Sequence, residues 1–119
     1  MIVEGVSYIH SMKIVHFDLK LDNILANVNA NGYITDLCIS DFGLSRSFNE
    51  FSNSLNFDGS LIYMAPEMFS KDSMFDEKID CWSLGIILYT ILKYELPFNE
   101  EQMPDMQNQI TSFKLLLDD

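Results

Sequence analysis

The sequence predicts a mainly α-helical fold with one short β-hairpin. Apolar residues recur at helical spacing over residues 2–12, and a nearly unbroken apolar stretch runs from Ile79 to Leu92. Between them, two short apolar runs flank the turn-forming cluster Asn29–Gly32. The chain has 119 residues, of which 48% are hydrophobic and 13% aromatic, so it can bury a core as one small domain.

The first predicted helix covers residues 2–12 and is amphipathic. Its apolar positions share one helical face: Ile2, Val3, Val6, Ile9 and Met12. From Ile14 to Asn23, charged and apolar residues mix without a period, which predicts a structured loop.

The hairpin is predicted from two strands, Ile24–Val28 and Tyr33–Ser40, joined through Asn29–Gly32. Residues 44–60 follow and are rich in serine, asparagine and phenylalanine without a period, which predicts a long surface segment.

The second predicted helix, Ile79–Leu92, carries apolar residues on nearly every side, so we expect it to be buried all round. The run Leu96–Phe98 ends it, because the proline within that run cannot continue a helix. One more helix is predicted within residues 100–117, with an exposed-looking Leu115–Leu117 at its end.

The charge balance excludes two classes of partner. The chain has 7 Lys and Arg residues against 18 Asp and Glu, a net charge of −11, and Arg46 is its only arginine. A nucleic-acid groove or an anionic membrane surface would need concentrated cations instead. The acidic residues over 95–119 form either a solvated face or a docking site for a basic partner.

The cysteines and the apolar stretches predict a soluble, cytoplasmic protein without membrane insertion. Cys38 and Cys81 each lie in an apolar run, which predicts core positions rather than a disulfide framework. The N-terminal residues lack the pattern of an export signal, and the uncharged run Cys81–Leu92 is too short to span a bilayer.

Four clusters of chemically informative residues follow one another along the chain: His16–Asn23, Asp41–Gly43, Ala65–Glu67 and Asp80–Gly85. In this order and spacing they resemble the C-terminal lobe of a eukaryotic protein kinase of the serine/threonine type, as do the runs Gly59–Met64 and Leu96–Phe98. The resemblance covers essentially the whole chain. It implies a partial kinase domain over residues 1–119, with a catalytic loop at 16–23, an activation segment at 41–67 and a central helix at about 79–92.

The resemblance implies transfer of the ATP γ-phosphate to serine or threonine hydroxyls of a protein substrate, with ATP and Mg²⁺ as cofactors. Asp18 would be the catalytic base, Lys20 would contact the transferring phosphate, and Ser60 would hydrogen-bond both. Lys20, Asn23 and Asp41 would bind the nucleotide, and Asn23 and Asp41 offer the oxygen ligands that Mg²⁺ prefers. Alternate side chains of an extended loop share one side, so Asp18 and Lys20 can point into one cleft.

Other residues of these clusters have expected supporting roles. His16 would be a packed structural histidine stacked on Phe42, which in turn would anchor its segment in the core. Gly43 would allow backbone freedom after Asp41. Asp80, at the start of a buried helix, would accept backbone N–H bonds near the catalytic loop.

The sequence departs from the family pattern at two described motifs. Phe17 stands where many kinases carry an arginine that grips a phosphate on the activation segment. We therefore expect no switch by that route from the serines of this segment: Ser45, Ser47, Ser52 and Ser54. The separation of Asn23 from Asp41 is a few residues longer than usual, and the extra residues fall in the hairpin turn, where they should leave Asp41 in place.

The resemblance also implies what the sequence lacks: the glycine-rich loop and strand lysine of the N-terminal lobe, and the last helices with the arginine that pairs Glu67. Apolar helix faces would then need a missing N-lobe or a partner chain to cover them. Three interpretations stay open: a kinase seen in part, a non-catalytic pseudokinase-like binding module, and a truncated fragment without independent activity.

Overall fold

A computed structural model describes residues 1–48, 60–70, 76–98 and 103–112. Within them the chain forms α1 (Ile2–Ser11), β1 (Ile14–Val15), β2 (Ile24–Val28), β3 (Ile34–Ile39), β4 (Arg46–Ser47), α2 (Lys78–Lys93) and α3 (Met103–Ser112). Short 3₁₀ turns lie at Leu21–Asn23, Leu61–Tyr63 and Pro66–Phe69. The predicted mixture of helices with a hairpin is thus confirmed.

The helix α1 ends one residue before its predicted limit. Its apolar face packs inward through Val6 and Ile9, which are both buried. The N–H of Met12 bonds the carbonyls of Tyr8 and Ile9, which closes the last turn.

The predicted hairpin is confirmed as the antiparallel pair β2–β3, in which Ile24 lies opposite Ile39. Its turn depends on two residues of the predicted turn cluster. Gly32 has a φ of 83°, which glycine adopts without steric cost. The Oδ1 atom of Asn29 accepts the N–H of Tyr33 at 3.0 Å and so helps to close the loop.

A second small sheet was not predicted. β1 pairs antiparallel with β4, with Ile14 opposite Ser47 and Val15 opposite Arg46. The sequence pattern predicts a structured loop at Ile14–Val15 and a surface segment at Arg46–Ser47. Strands of two residues carry no period, so only their long-range pairing defines them. The pairing brings the chain that follows Asp41 back beside the start of the predicted catalytic loop, residues 16–23.

The helix α2 is the centre of the core. Each of the apolar clusters contains one of its residues: Ile79 joins Val15, Met64, Ala65 and Met68; Ile86 joins Ile62, Phe98, Met106 and Ile110; Ile87 joins Val6 and Leu19. The segment 61–69 is therefore held against α2 from two of the three clusters.

The expectation that α2 is buried all round is wrong for its C-terminal half. Leu88, Ile91 and Leu92 are 58%, 53% and 67% exposed. A helix with apolar residues on every side can be buried all round only if other elements pack against each of its sides. The described part of the chain does not cover this side of α2.

The core positions predicted for the cysteines are also wrong, since Cys38 and Cys81 are both exposed free thiols. Successive side chains of a strand point to opposite faces of the sheet, and Cys38 lies on the solvent side of β3. Within the described residues, no helix is long and apolar enough to cross a membrane. Ser52, Ser54 and Leu115–Leu117 lie outside the described residues.

Candidate active site

The predicted catalytic loop, residues 16–23, is anchored to α2 by one buried carboxylate. Asp80 lies in the first turn of α2 and is 1% exposed. Its Oδ2 accepts the N–H of His16 at 2.8 Å, and its Oδ1 accepts the N–H of Phe17 at 3.1 Å. The expected role of Asp80 is confirmed: a loop without regular ladder bonds finds its backbone acceptors on a rigid helix.

A third group on this carboxylate was missed by the sequence analysis. The Nε2 atom of His10, near the end of α1, lies 2.8 Å from Asp80 Oδ2. His10 follows the buried Val6 by one helical turn, so its position on the inner face of α1 could have indicated a buried polar contact. α1, α2 and the catalytic loop thus meet at Asp80.

His16 is fully buried and uses both ring nitrogens to shape the loop. Its Nδ1 accepts the N–H of Asp18 at 3.3 Å, so Nε2 carries the proton and donates to the carbonyl of Ser40 at 3.0 Å. Its ring lies 4.8 Å from that of Phe42, tilted by 59°. The structural role expected for His16 is confirmed, because neither nitrogen is left for acid or base chemistry.

Asp18, Lys20 and Asn23 form one hydrogen-bonded group. Lys20 Nζ lies 2.9 Å from Asp18 Oδ2. Asn23 Nδ2 donates to the carbonyl of Asp18 at 2.8 Å and to its Oδ2 at 3.2 Å. The expectation that Asp18 and Lys20 point to the same side is confirmed, and these bonds fix the carboxylate in one orientation.

The charge of Lys20 is stabilised by its surroundings. The hydrogen bond to Asp18 raises the pKa of Lys20, and the negative charges of Asp18, Asp22 and Asp41 raise it further, against the opposing effect of burial. The charged form of Lys20 is therefore favoured by the carboxylates near it, including that of Asp41.

Asp41 is held close to Asn23 through the residue that precedes it. Both the N–H and the Oγ of Ser40 donate to the carbonyl of Asn23, at 2.9 and 3.1 Å. These bonds lie at the base of the hairpin, so they do not depend on the length of its turn. The sequence analysis did not single out Ser40, and no local pattern marks a contact across 17 residues.

The tripeptide Asp41–Gly43 differs from expectation in two details. The left-handed residue is Asp41, with a φ of 61°, and not Gly43. Gly43 lies close to this aspartate instead: its N–H bonds Asp41 Oδ1, and a Cβ there would lie 3.2 Å from the same oxygen, which would have to move by a few tenths of an ångström. Phe42 is 45% exposed, so it packs on His16 without being anchored in the core.

Ser60 lies beside Asp18 on the wall of a small cavity that Ser83 also lines. The hydrogen bonds described for the Asp18 carboxylate come from Lys20 and Asn23. The expected bonds from Ser60 to Asp18 and Lys20 therefore stay a prediction.

Glu67 is half-buried on the Pro66–Phe69 turn. The guanidinium of Arg46 donates to the carbonyl of Ser45 at 2.9 Å. Across the described ranges of the chain, no ion pair joins Glu67 to a cation.

The donor set at Asn23 and Asp41 fits Mg²⁺ better than a transition metal. Asn23 makes its hydrogen bonds through Nδ2, so its amide oxygen is the atom that could ligate a cation. In the part of the chain that the structure describes, no three His, Cys, Asp or Glu side chains cluster as a metal site. Mg²⁺ is typically bound by one or two protein oxygens together with substrate phosphates, so a sparse site of this kind suits it.

Comparisons with known proteins agree with this geometry. The family model for the protein kinase domain matches residues 1–118. The chain is 39% identical over 113 residues to a probable serine/threonine-protein kinase KIN1 homolog of Enterocytozoon bieneusi, which covers 95% of this chain and 18% of that protein. It is 38% identical over 116 residues to serine/threonine-protein kinase atg1 of Dictyostelium discoideum, covering 98% of this chain and 17% of the relative.

A third relative, serine/threonine-protein kinase dkf-2 of Caenorhabditis briggsae, is 37% identical over 115 residues, or 97% of this chain and 9% of the relative. The chain thus spans less than a fifth of the length of these relatives. The matched family model and the extent of these alignments show that the chain belongs to the serine/threonine protein kinase family.

Proposed function

We propose that this chain carries the phosphoryl-transfer half of a serine/threonine protein kinase, which moves the γ-phosphate of ATP to a protein hydroxyl. The observation that carries the proposal is the group formed by Asp18, Lys20 and Asn23, with Lys20 Nζ 2.9 Å from the Asp18 carboxylate. Phosphoryl transfer needs a positioned hydroxyl and neutralised phosphate charge more than covalent chemistry.

Each member of the group has a distinct task in this proposal. Asp18 orients the substrate hydroxyl and receives its proton, because its carboxylate is fixed by Lys20 and Asn23. Lys20 keeps its charge, since its pKa is raised, and so can balance negative charge on the transferring group. Ser60, on the wall of the same cavity as Asp18, supports the loop.

The cofactors of the proposal are ATP and Mg²⁺. Asn23 and Asp41 would hold the metal through their side-chain oxygens, and Lys20 would contact the nucleotide phosphates. When bound, Mg²⁺ supplies charge neutralisation on the phosphates. Ser40 keeps the two ligands together by bonding the Asn23 carbonyl.

The test compares Asp18→Asn and Asp41→Asn with Asp22→Asn in the protein at its native length. Asp22 is an exposed neighbour of the same charge, so Asp22→Asn is the matched control. Transfer of ³²P from ATP to a generic protein substrate should fall by about 10²- to 10⁴-fold for Asp18→Asn. Asp41→Asn should raise the Mg²⁺ requirement and lower transfer similarly. Equal rates for Asp18→Asn and Asp22→Asn would refute the assignment.

A second candidate function is favoured by one observation. A cavity of about 310 Å³ lies between α1 and β3, with Ile2, Ile9, Leu37, Ile39 and Phe42 on its walls. An apolar cavity of this size suits a docking partner or another lobe of the protein. A binding module would form complexes that survive Asp41→Asn, whereas phosphoryl transfer would not. The same variant therefore separates the two functions.

A further inference from the structure

The turn of the hairpin β2–β3 contains a dipeptide with a chemistry of its own. Asn31 and Gly32 lie at the tip of the hairpin, and both are exposed. Asn31 is the only asparagine of the chain that a glycine follows. The side chain of an asparagine can react with the backbone nitrogen of the next residue if nothing shields that nitrogen. Glycine has no Cβ and therefore leaves its nitrogen open to such an approach.

The surroundings of these two residues leave room for the approach. Gly32 has a φ of 83°, and a Cβ built on it would meet no atom within 4 Å. The backbone N–H of Asn31 donates to Asn29 Oδ1 at 3.0 Å. Within the described ranges of the chain, no hydrogen bond holds the side chain of Asn31. Its Cγ atom can therefore rotate toward the nitrogen of Gly32.

One bond of the turn opposes the reaction. The N–H of Gly32 donates to the carbonyl of Asn29 at 3.0 Å, so the nitrogen must leave this partner before it can attack. The bond lies in an exposed turn at the end of the hairpin, where local opening costs little free energy. We therefore expect this bond to slow the reaction by a small factor without preventing it.

Asn29 lies in the same turn, but its side chain is held in place. Its Oδ1 accepts the N–H of Asn31 and the N–H of Tyr33, both at 3.0 Å. The residue that follows it, Ala30, has a Cβ that shields the backbone nitrogen. The hairpin thus places an asparagine that can react beside one that is restrained.

We propose that Asn31 is a site of spontaneous deamidation, a covalent modification that needs only water as co-reactant. The nitrogen of Gly32 forms a bond to Asn31 Cγ, and the bond from Cγ to Nδ2 breaks. Nδ2 leaves as ammonia with the proton of the Gly32 N–H, and a succinimide ring remains. Water opens this ring at one of its two carbonyls. One opening gives aspartate, and the other gives isoaspartate, in which the backbone continues through Cβ and Cγ.

The modification changes the tip of the hairpin and should leave its base intact. Both products add a negative charge at position 31, and isoaspartate also adds one atom to the backbone of the turn. The strand pairing is irregular between Asn27 and Val28, so the regular ladder ends before the turn begins. The bonds from Ser40 to the carbonyl of Asn23 lie at the opposite end of the hairpin.

The experiment incubates the protein at its native length in mildly alkaline buffer and analyses its peptides by liquid chromatography and mass spectrometry. Conversion of Asn31 gives two products of equal mass that separate in chromatography, and each differs from the parent peptide by exchange of NH₂ for OH. The reference is a synthetic peptide of residues 27–35, which is too short to keep the hairpin. We expect Asn31 of the folded protein to convert at a rate within about tenfold of that peptide.

Two controls come from the same turn. Asn29 should convert at least about tenfold more slowly than Asn31, because two hydrogen bonds to its Oδ1 must first break. Asn31→Gln keeps an exposed amide at the same position, but its side chain would have to close a larger ring. Both products should therefore be absent at this position in Asn31→Gln.

Three results would overturn the proposal. An unmodified Asn31 in the folded protein, while the peptide converts, would show that the turn protects it. Aspartate as the sole product would exclude the succinimide. Conversion of Asn29 as fast as that of Asn31 would contradict the difference in restraint. Faster hydrogen exchange of the Ser40 N–H in the modified protein would refute the confinement to the tip. These readouts need no phosphoryl transfer, so they are independent of the proposed function.

Discussion

Replacing Asp80 by asparagine tests whether one buried carboxylate organises the catalytic loop. Asparagine has nearly the same shape but keeps only one of the two oxygens. If that oxygen retains the bonds made by Oδ2 to His16 and His10, the N–H of Phe17 faces an amide nitrogen. A buried donor without an acceptor costs about 1–3 kcal/mol.

Two further effects determine how much Asp80→Asn changes the free energy of unfolding. The retained bonds lose a charged acceptor, and bonds to charged groups are roughly twice as strong as neutral ones. The lower cost of burying a neutral group offsets part of this loss. We therefore expect Asp80→Asn to lower the free energy of unfolding by about 2 kcal/mol, a factor of about 30 in the folded-to-unfolded ratio.

The assay is urea unfolding followed by the fluorescence of Trp82, the only tryptophan of the chain. Trp82 is half-buried against the cluster that contains Val15 and Ile79, so its emission reports on the packing around the loop. Asp36→Asn is the control, because Asp36 is exposed on β3 and, among the described residues, its carboxylate accepts only the N–H of Leu37. Its effect on the free energy of unfolding should stay within about 0.5 kcal/mol. A change for Asp80→Asn as small as that of the control would refute the reasoning.

Two more variants test contacts around the site. Ser83→Ala removes the buried hydroxyl that donates to the carbonyl of Tyr63 at 2.8 Å, and should lower the free energy of unfolding by about 1 kcal/mol in the same urea assay. The carboxylate of Asp76, which lies just before α2, accepts the backbone N–H of Lys78, the first residue of α2. This bond, together with the side-chain bond to Lys78, lowers the pKa of Asp76. The stabilisation that the ionised Asp76 carboxylate provides is fully present above the ordinary aspartate pKa. It is lost as the pH falls through the lowered pKa. Asp76→Ala should therefore cost about 0.5 kcal/mol at pH 7, measured by urea unfolding, and the cost should vanish once the pH has fallen below the lowered pKa.

Local periodicity in the sequence was sufficient to predict the elements that bury one face. The apolar spacing of α1 and the turn chemistry of Asn29 and Gly32 depend on nearby residues alone, and both are confirmed. The same holds for Asp18 and Lys20, because the alternation of an extended loop is a local property. Their tasks in catalysis stay predictions.

Contacts between distant segments were beyond such reasoning. The pairing of β1 with β4 joins residues more than 30 positions apart, and neither strand is long enough to show a pattern. The exposure of Cys38, of Phe42 and of the last turns of α2 depends on what packs against each surface, which hydrophobicity does not specify. His10 was predictable in part: the sequence indicates on which face of α1 it lies, but not that its partner is Asp80, 70 residues away.

The position of Asp80 explains how a loop with little regular structure can hold a defined geometry. Asp80 is buried, and its N–H bonds the carbonyl of Glu77, so its carboxylate in the first turn of α2 is a fixed acceptor. The loop fixes its own backbone by donating to that acceptor from the N–H groups of His16 and Phe17, two residues and one residue before Asp18. His10 adds α1 to the same point. The orientation of the Asp18 carboxylate thus depends on the position of Asp80 in α2. A substitution that loosens the first turn of α2 should therefore disturb Asp18 before it disturbs the hairpin.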